Sequence, residues 1–233
     1  MRVEIIDVLK RFGKKTALNI PSWKLEDGEI VGLVGSNGAG KTTFLRLVLD
    51  LLHPENGRVE IDGISVSRSA AWKASTGSYL DESFLIGFLS ISEYLKFVGA
   101  VFGLKNGTTE RALEQYRSFL PSRSDDVSGK LVRELSTGNG KKVGIVAAMF
   151  IRPDLLILDE PFANLDPPSQ IRLKQNILRL ARENGTTMII SSHDLGHVTE
   201  ICSRITLLDD GHIIRDEKTS SETLSELQSY FAS

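Results

Sequence analysis

Hydrophobic side chains along this chain fall into two textures: short apolar runs of strand length, and stretches in which they recur every three or four residues. Residues 2 to 8 alternate polar and apolar positions and predict a strand. A Lys-rich stretch and a Pro-Ser pair then lead to the turn Asp27-Gly28, after which Glu29 to Val34 form an apolar run suited to a buried strand. From Lys41, the positions Phe44, Leu45, Val48, Leu49 and Leu52 recur at helical spacing until Pro54 and Asn56-Gly57 stop the helix before a short strand around Val59 to Ile61. The middle is helical. Ile91 to Leu104 and Thr109 to Leu120 keep a helical period across the break at Asn106-Gly107, and Pro121 to Gly129 is polar and turn-rich. After Arg152-Pro153 the strand texture returns with Leu155 to Leu158, a helix from about Pro168 to Glu183, and the strand Thr187 to Ser191. A hairpin-like Ile205 to Ile214 turns at Asp210-Gly211, and Ser220 to Ser233 reads as one helix with Thr223 and Glu226 at capping-box spacing. Strands alternating with helices predict an α/β fold with a largely parallel sheet, into which residues 84 to 152 are inserted as a helical unit.

Composition then removes several function classes. The chain has 28 basic and 30 acidic side chains in 233 residues, a net charge of -2, and so lacks the electrostatic footprint of a nucleic-acid binder; no direct nucleic-acid partner is expected. Cys202 is the only cysteine, which excludes an internal disulfide or a cysteine-based zinc site and fits a reducing, cytosolic compartment. The start lacks the apolar core of a signal peptide. The longest apolar stretches, Ile145 to Ile151 and Leu155 to Leu158, fall far short of the roughly 18–20 residues that cross a bilayer, so any membrane role is expected to come through a partner.

One motif carries specific chemistry. Gly35-Ser36-Asn37-Gly38-Ala39-Gly40-Lys41-Thr42 matches G-x-x-x-x-G-K-[ST], with a predicted strand before it and a predicted helix after it. A loop of small residues lets backbone N–H groups approach phosphate oxygens while the helix N-terminus adds its dipole. Lys41 supplies a point charge for the β- and γ-phosphates, Thr42 a hydroxyl for Mg²⁺, and Thr43 lies beside them. A chance match in a chain of this length has a probability of roughly 1%, so a merely flexible turn is the poorer reading. A second motif, Leu155 to Leu158 followed by Asp159-Glu160, delivers two carboxylates to the carboxyl edge of a parallel strand, where ligands of open α/β sheets bind. There Asp159 is placed to hold Mg²⁺ and Glu160 to orient or deprotonate an attacking water. An acidic pair after a strand also serves simply as a helix cap.

The order of motifs resembles the nucleotide-binding subunit of an ATP-binding cassette (ABC) transporter, over nearly the whole chain. Phe12-Gly13 resembles the position where a ring stacks on adenine. Leu135-Ser136-Thr137-Gly138-Asn139 resembles the signature motif, Pro161 to Asp166 the D-loop, and His193 in Ser191-Ser192-His193-Asp194 the switch histidine that reaches the γ-phosphate. The resemblance implies a P-loop NTPase (RecA-like) core with an N-terminal antiparallel β subdomain. It assigns residues 1-83 and 153-218 to the core, 84-152 to the helical subdomain and 219-233 to a C-terminal helix. It also implies ATP and Mg²⁺ as ligands, with Lys41, Glu160 and His193 catalytic and Ser136, Thr137, Gly138, Asn139 and Asp166 serving a nucleotide across a dimer of two cassettes. A lone Phe12 is otherwise an ordinary core or surface aromatic, a lone His193 an ordinary structural histidine, and Ser136 an ordinary helix cap.

The sequence departs from that pattern in two places. The family's Q-loop glutamine, a Mg²⁺ ligand and sensor of the membrane partner, falls in Gly77 to Glu82, where Asp81 takes its place or, one position on, Glu82. In the signature, Thr137 and Asn139 stand for the usual glycine and glutamine. Altered coupling or rate is expected, with ATPase activity retained, and such variation also fits a heterodimer with one stronger site. The resemblance implies a cytoplasmic subunit held on the membrane by a separate polytopic permease, and ISEYLKFVGAVFGL, residues 91 to 104, resembles cassettes of the ABC-2 export type. The rivals are a soluble ABC-type ATPase working on a nucleic-acid or protein assembly, which usually has two fused cassettes or a long coiled-coil insertion, and a regulatory module that binds ATP without turnover.

Overall fold

Two sheets organise the computed structural model, which describes residues 1–105, 107–121 and 129–232. Asn106, Ser233 and most of the polar stretch expected between Pro121 and Gly129 lie outside the described residues. The smaller sheet is antiparallel in the order β2-β1-β4-β5, built from β1 (Val3–Phe12), β2 (Lys15–Leu25), β4 (Asn56–Ile61) and β5 (Ile64–Ser65). The larger runs β10-β9-β3-β8-β7-β6, from β3 (Ile30–Val34), β6 (Thr76–Tyr79), β7 (Leu155–Leu158), β8 (Thr187–Ser192), β9 (Arg204–Asp209) and β10 (His212–Lys218). Its strands are parallel except for the β9–β10 hairpin at one edge. The expected β-rich N-terminus and parallel α/β core are both present. Every residue of β3, β7 and β8 is buried, which explains why they read as continuous apolar runs: helices or a second sheet cover both faces.

Strand β2 was not visible in the hydrophobic pattern. Its buried side chains, Leu18, Ile20, Trp23 and Leu25, change phase at Pro21-Ser22. Pro21 is tolerated because β2 is an edge strand of its sheet. Opposite, β1 bulges: Ile6 pairs with Arg58 and Leu9 with Asn56, so Asp7, at φ 50°, and Val8 face the single Gly57. Trp23 ties the sheets together, its ring edge-on to Phe44 at 4.9 Å and its indole N–H donating to Thr206 Oγ1 at 3.0 Å.

Seven helices are described: α1 (Lys41–Val48), α2 (Ile91–Val101), α3 (Thr108–Glu114), α4 (Thr137–Met149), α5 (Pro167–Asn184), α6 (Leu195–Ile201) and α7 (Thr223–Ala232). Helix α1 stops short of Leu52 because Asp50 turns to φ 55° and the N–H groups of Leu51 and Leu52 fold back on the Arg46 carbonyl. Only the first half of the expected Thr109 to Leu120 helix is α-helical, and α6 was not expected at all. The expected capping pair of the last helix is also corrected. Thr223 Oγ1 accepts the Ser220 N–H at 2.9 Å, and Glu226 pairs with Arg215 at 3.0 Å.

Two apolar clusters cover the two faces of the larger sheet. One joins α1 to the smaller sheet through Phe44, Leu45, Val48 and Trp23; the other joins α4, α5 and α6 to Leu95, Tyr116 and Phe119 of the helical segment. Between them β6 lies directly against α4: a Cβ on Gly77 would stand 2.0 Å from the Ala148 carbonyl oxygen. That neighbour is backbone and cannot swing aside. Gly77→Ala should therefore lower the unfolding free energy by about 3 kcal/mol; an unchanged urea midpoint would show that β6 and α4 do not approach this closely.

Candidate functional site

The glycine-rich loop leaves the carboxyl end of β3 with no room to spare. A Cβ on Gly35 would lie 2.3 Å from the Leu208 carbonyl oxygen, and Gly40, at φ 111°, is both left-handed and 2.7 Å from the Ala17 oxygen by the same measure. The loop therefore reaches α1 as a tight curve, pinned against β9 and β2. A cavity of about 300 Å³ opens above it, lined by Ser36, Asn37, Gly38, Gly40, Lys41, Thr42 and Thr43, with Phe12, Lys15 and Ala17 from the β1–β2 hairpin on the far side and Glu160 at the end. Gly35 and Ala39 shape the loop from beneath. Phe12 is half exposed at the cavity mouth, with the Lys10 ammonium 5.4 Å from its ring centre. Lys15 and Ala17 were missed because β2 was not recognised as a strand.

The parallel register brings the other motifs to the same edge: Val34 pairs with Ser192, and Leu158 with Ile190. The buried Asp159 carboxylate accepts the Thr42 hydroxyl at 2.7 Å on one oxygen and the Ser191 hydroxyl on the other. Ser191 Oγ in turn accepts the Glu160 N–H at 2.8 Å. Glu160 sits at φ 46°, a left-handed conformation that costs a side-chain-bearing residue about 1–2 kcal/mol. Its Oε2 lies 2.7 Å from His193 Nδ1 and its Oε1 3.4 Å from the buried Lys41 ammonium, which also donates to the Gly35 carbonyl at 2.6 Å. Lys41 and Thr42 at the start of α1, Asp159 and Glu160 after β7, and His193 after β8 thus converge from three elements. The Thr42 hydroxyl and the Asp159 carboxylate are hard oxygen donors of the kind Mg²⁺ takes.

The sequence matches the family model described as "ABC transporter" over residues 18–163. This chain belongs to the ATP-binding subunits of ABC transporters. It is 31% identical over 223 residues to a bacitracin transport ATP-binding protein of Enterococcus faecalis, covering 94% of this chain and 70% of that protein. It is also 31% identical over 211 residues to a linearmycin resistance ATP-binding protein of Bacillus subtilis, covering 89% and 66%. Among solved structures, a dimeric bacterial ABC transporter cassette superposes with a TM-score of 0.82 at 26% identity, over 94% of this chain and 99% of that one.

Not every expected residue of this ABC ATPase meets the phosphate loop within one chain. Ser136 caps α4, its Oγ accepting the Asn139 N–H at 3.4 Å, so Thr137, Gly138 and Asn139 form the first turn of a long helix. Ser136 and Thr137 border a separate cavity of about 230 Å³. Asp166 caps α5 and pairs with Lys142 at 3.2 Å; the bond from Ser169, with Lys142 adding to it, draws its carboxyl down to about 2. Asp81 does not share the Thr42–Asp159 cluster. Its Oδ1 accepts the N–H and hydroxyl of Ser83, capping a short turn at Glu82–Phe84, while Oδ2 lies 3.9 Å from Arg46. Glu82, the alternative, faces Tyr79, whose hydroxyl is pushed up by burial and by that carboxylate.

Ser191 is the residue that sequence reasoning quoted without assigning. It lies in the stretch that carried His193, one residue before the strand end, and its single hydroxyl serves both Asp159 and Glu160. Ser191→Ala leaves a part-buried N–H and a buried carboxylate oxygen short of a partner and should destabilise the fold by about 1–3 kcal/mol in chemical denaturation. A smaller loss than about 0.5 kcal/mol would mean that the bridge contributes little.

Proposed function

We propose that this chain binds Mg-ATP, closes on a second cassette with ATP between them, hydrolyses the γ-phosphate and passes the resulting motion to a separate transmembrane subunit that exports its cargo. The observation that carries this reading is Glu160, held between His193 and Lys41 at the end of the phosphate-loop cavity. Phe12 offers its ring to the base, and Ser36 to Gly40 surround the phosphates with backbone N–H groups. Thr42 and Asp159 would hold the Mg²⁺ that accompanies ATP, whose charge offsets that of the phosphates. Glu160 accepts a proton from the attacking water as its oxygen bonds to the γ-phosphorus and the bond to the β–γ bridging oxygen breaks. The Lys41 charge favours the departing diphosphate, and His193 fixes the Glu160 carboxylate in place. Ser136 to Asn139 supply a capped helix N-terminus to the nucleotide of the partner cassette.

Support for a membrane partner comes from a second surface. None of the described helices is long and apolar enough to cross a membrane. Between β6 and the helical segment runs a groove of about 390 Å³ lined by Leu51, Trp72, Phe84, Val98 and Phe102, with Lys73 and Asp81 on its walls. Phe84 and Leu51 are exposed at its edge. It suits a short amphipathic helix of the transmembrane subunit, and the segment read as the Q-loop would border it through Asp81. Export is the direction favoured by the resemblance of residues 91 to 104 to ABC-2 cassettes and by similarity to the bacitracin and linearmycin proteins.

Three measurements test these assignments on the full chain. Lys41→Ala should abolish tight ATP binding in a fluorescent-nucleotide titration; unchanged affinity would refute the phosphate-loop assignment. Glu160→Gln should cut ATP hydrolysis by about 10²-fold or more while leaving binding intact and accumulating an ATP-dependent dimer on size exclusion. Equal turnover would point to a regulatory module. Phe84→Asp should abolish co-purification with a polytopic membrane protein from detergent-solubilised membranes without changing basal ATP turnover; recovery of only soluble partners by the parent chain would favour the soluble ATPase.

A further inference from the structure

Lys141 lies in the first turns of α4 with only 6% of its surface exposed. Its ammonium donates to the main-chain oxygen of Glu160 at 3.0 Å and stands 6.0 Å from the centre of the Tyr79 ring. Burial draws its pKa down, and the carboxylates of Glu82, Glu160 and Asp159 act in the opposite sense. Keeping an ammonium out of water is costly unless its hydrogen bonds are made, and a plain packing role at this position would suit an apolar side chain. What the ammonium holds is the one residue other than glycine that lines the phosphate-loop cavity with a left-handed backbone. The Glu160 N–H is fixed by Ser191 from β8, and its carbonyl by Lys141 from α4.

We propose that Lys141 is a positioning residue for Glu160: by holding the Glu160 carbonyl it maintains the left-handed backbone that aims the carboxylate at His193 and the phosphate loop. This rests on the hydrolytic reading above. Because Lys141 rides on the helix whose first turn is Thr137 to Asn139, it also links the water-orienting carboxylate of one nucleotide site to the segment offered to the other. A shift of α4 as the two cassettes close is felt at Glu160 through one side chain.

The test is steady-state ATP hydrolysis by the purified full chain carrying Lys141→Met or Lys141→Gln, with Glu160→Gln as a parallel control. Methionine keeps the aliphatic length and loses the donor, whereas glutamine keeps a donor. Lys141→Met is expected to lower kcat about tenfold or more with the KM for ATP within about twofold, and Lys141→Gln to recover turnover to within about threefold of the parent. Turnover by Lys141→Met within twofold of the parent, or a raised KM at unchanged kcat, would overturn the proposal while the Glu160 assignment stands. If Lys141→Met does not fold, Lys141→Gln decides: a folded glutamine variant with parent-like ATP binding and tenfold lower kcat also overturns it. Should Glu160→Gln hydrolyse ATP like the parent, the hydrolytic reading itself fails, whatever the Lys141 variants do.

Discussion

The site depends on the parallel pairing of three strands with no exposed residue. β3, β7 and β8 lie side by side in one register, and what each delivers at its carboxyl end is dictated by where its apolar run stops. β3 stops at the loop before Lys41, β7 at Asp159-Glu160, and β8 at Ser191, Ser192 and His193. Burial on both faces forbids these strands to slip, because a shift by one residue would carry polar ends into the apolar layers. A ladder of backbone bonds, stabilised by packing far from the phosphates, thereby sets the spacing among Lys41, Asp159, Glu160 and His193.

Within that frame the charged groups hold one another. Two of the cluster's most buried charged groups, Lys41 and Asp159, would each be expensive to keep alone out of water, and each has partners of suitable type: carbonyl oxygens and Glu160 for Lys41, two hydroxyls for Asp159. Glu160 differs, because its geometry is imposed on a backbone conformation that side chains rarely adopt. Such strain persists only where surrounding groups over-determine it. Here Ser191 and Lys141 grip the two polar groups of that residue's backbone, and His193 grips the carboxylate.

How far the sequence disclosed this follows from the same physics. The loop, the acidic pair and the strands that carry them were legible because doubly buried strands become unbroken apolar runs and phosphate binding demands small residues at fixed spacing. β2 was illegible because its apolar alternation changes phase at Pro21, opposite a bulge that only its neighbours reveal. β6 hid behind Gly77, a glycine explained by the backbone of α4 and by nothing near it in sequence. Ser191 and Lys141 could be read as residues, but their work is done on the main chain of Glu160, a contact that no spacing rule encodes. Asp81 is a different case: counting along the chain matches it to a metal ligand, whereas its contact in the structure is a local bond that caps the turn at Ser83.

The signature segment gives the least to its own chain. Ser136 to Asn139 start a helix whose later residues, Val143 to Met149, are buried against the larger sheet, so the first turn cannot bend toward the phosphate loop of the same subunit without unpacking the core. A capped, positively polarised helix end is an anion receptor, and here it borders a different cavity from the one above Lys41. In the proposed function its ligand is the nucleotide of the partner cassette, and the separation of the two cavities is consistent with that division. The Lys142–Asp166 pair carries the same logic to α5: it ties the start of α4 to the segment that follows Glu160. The start of α4 thus cannot move alone, because Lys141 and Lys142 attach it on both sides of the Pro161 to Leu165 turn.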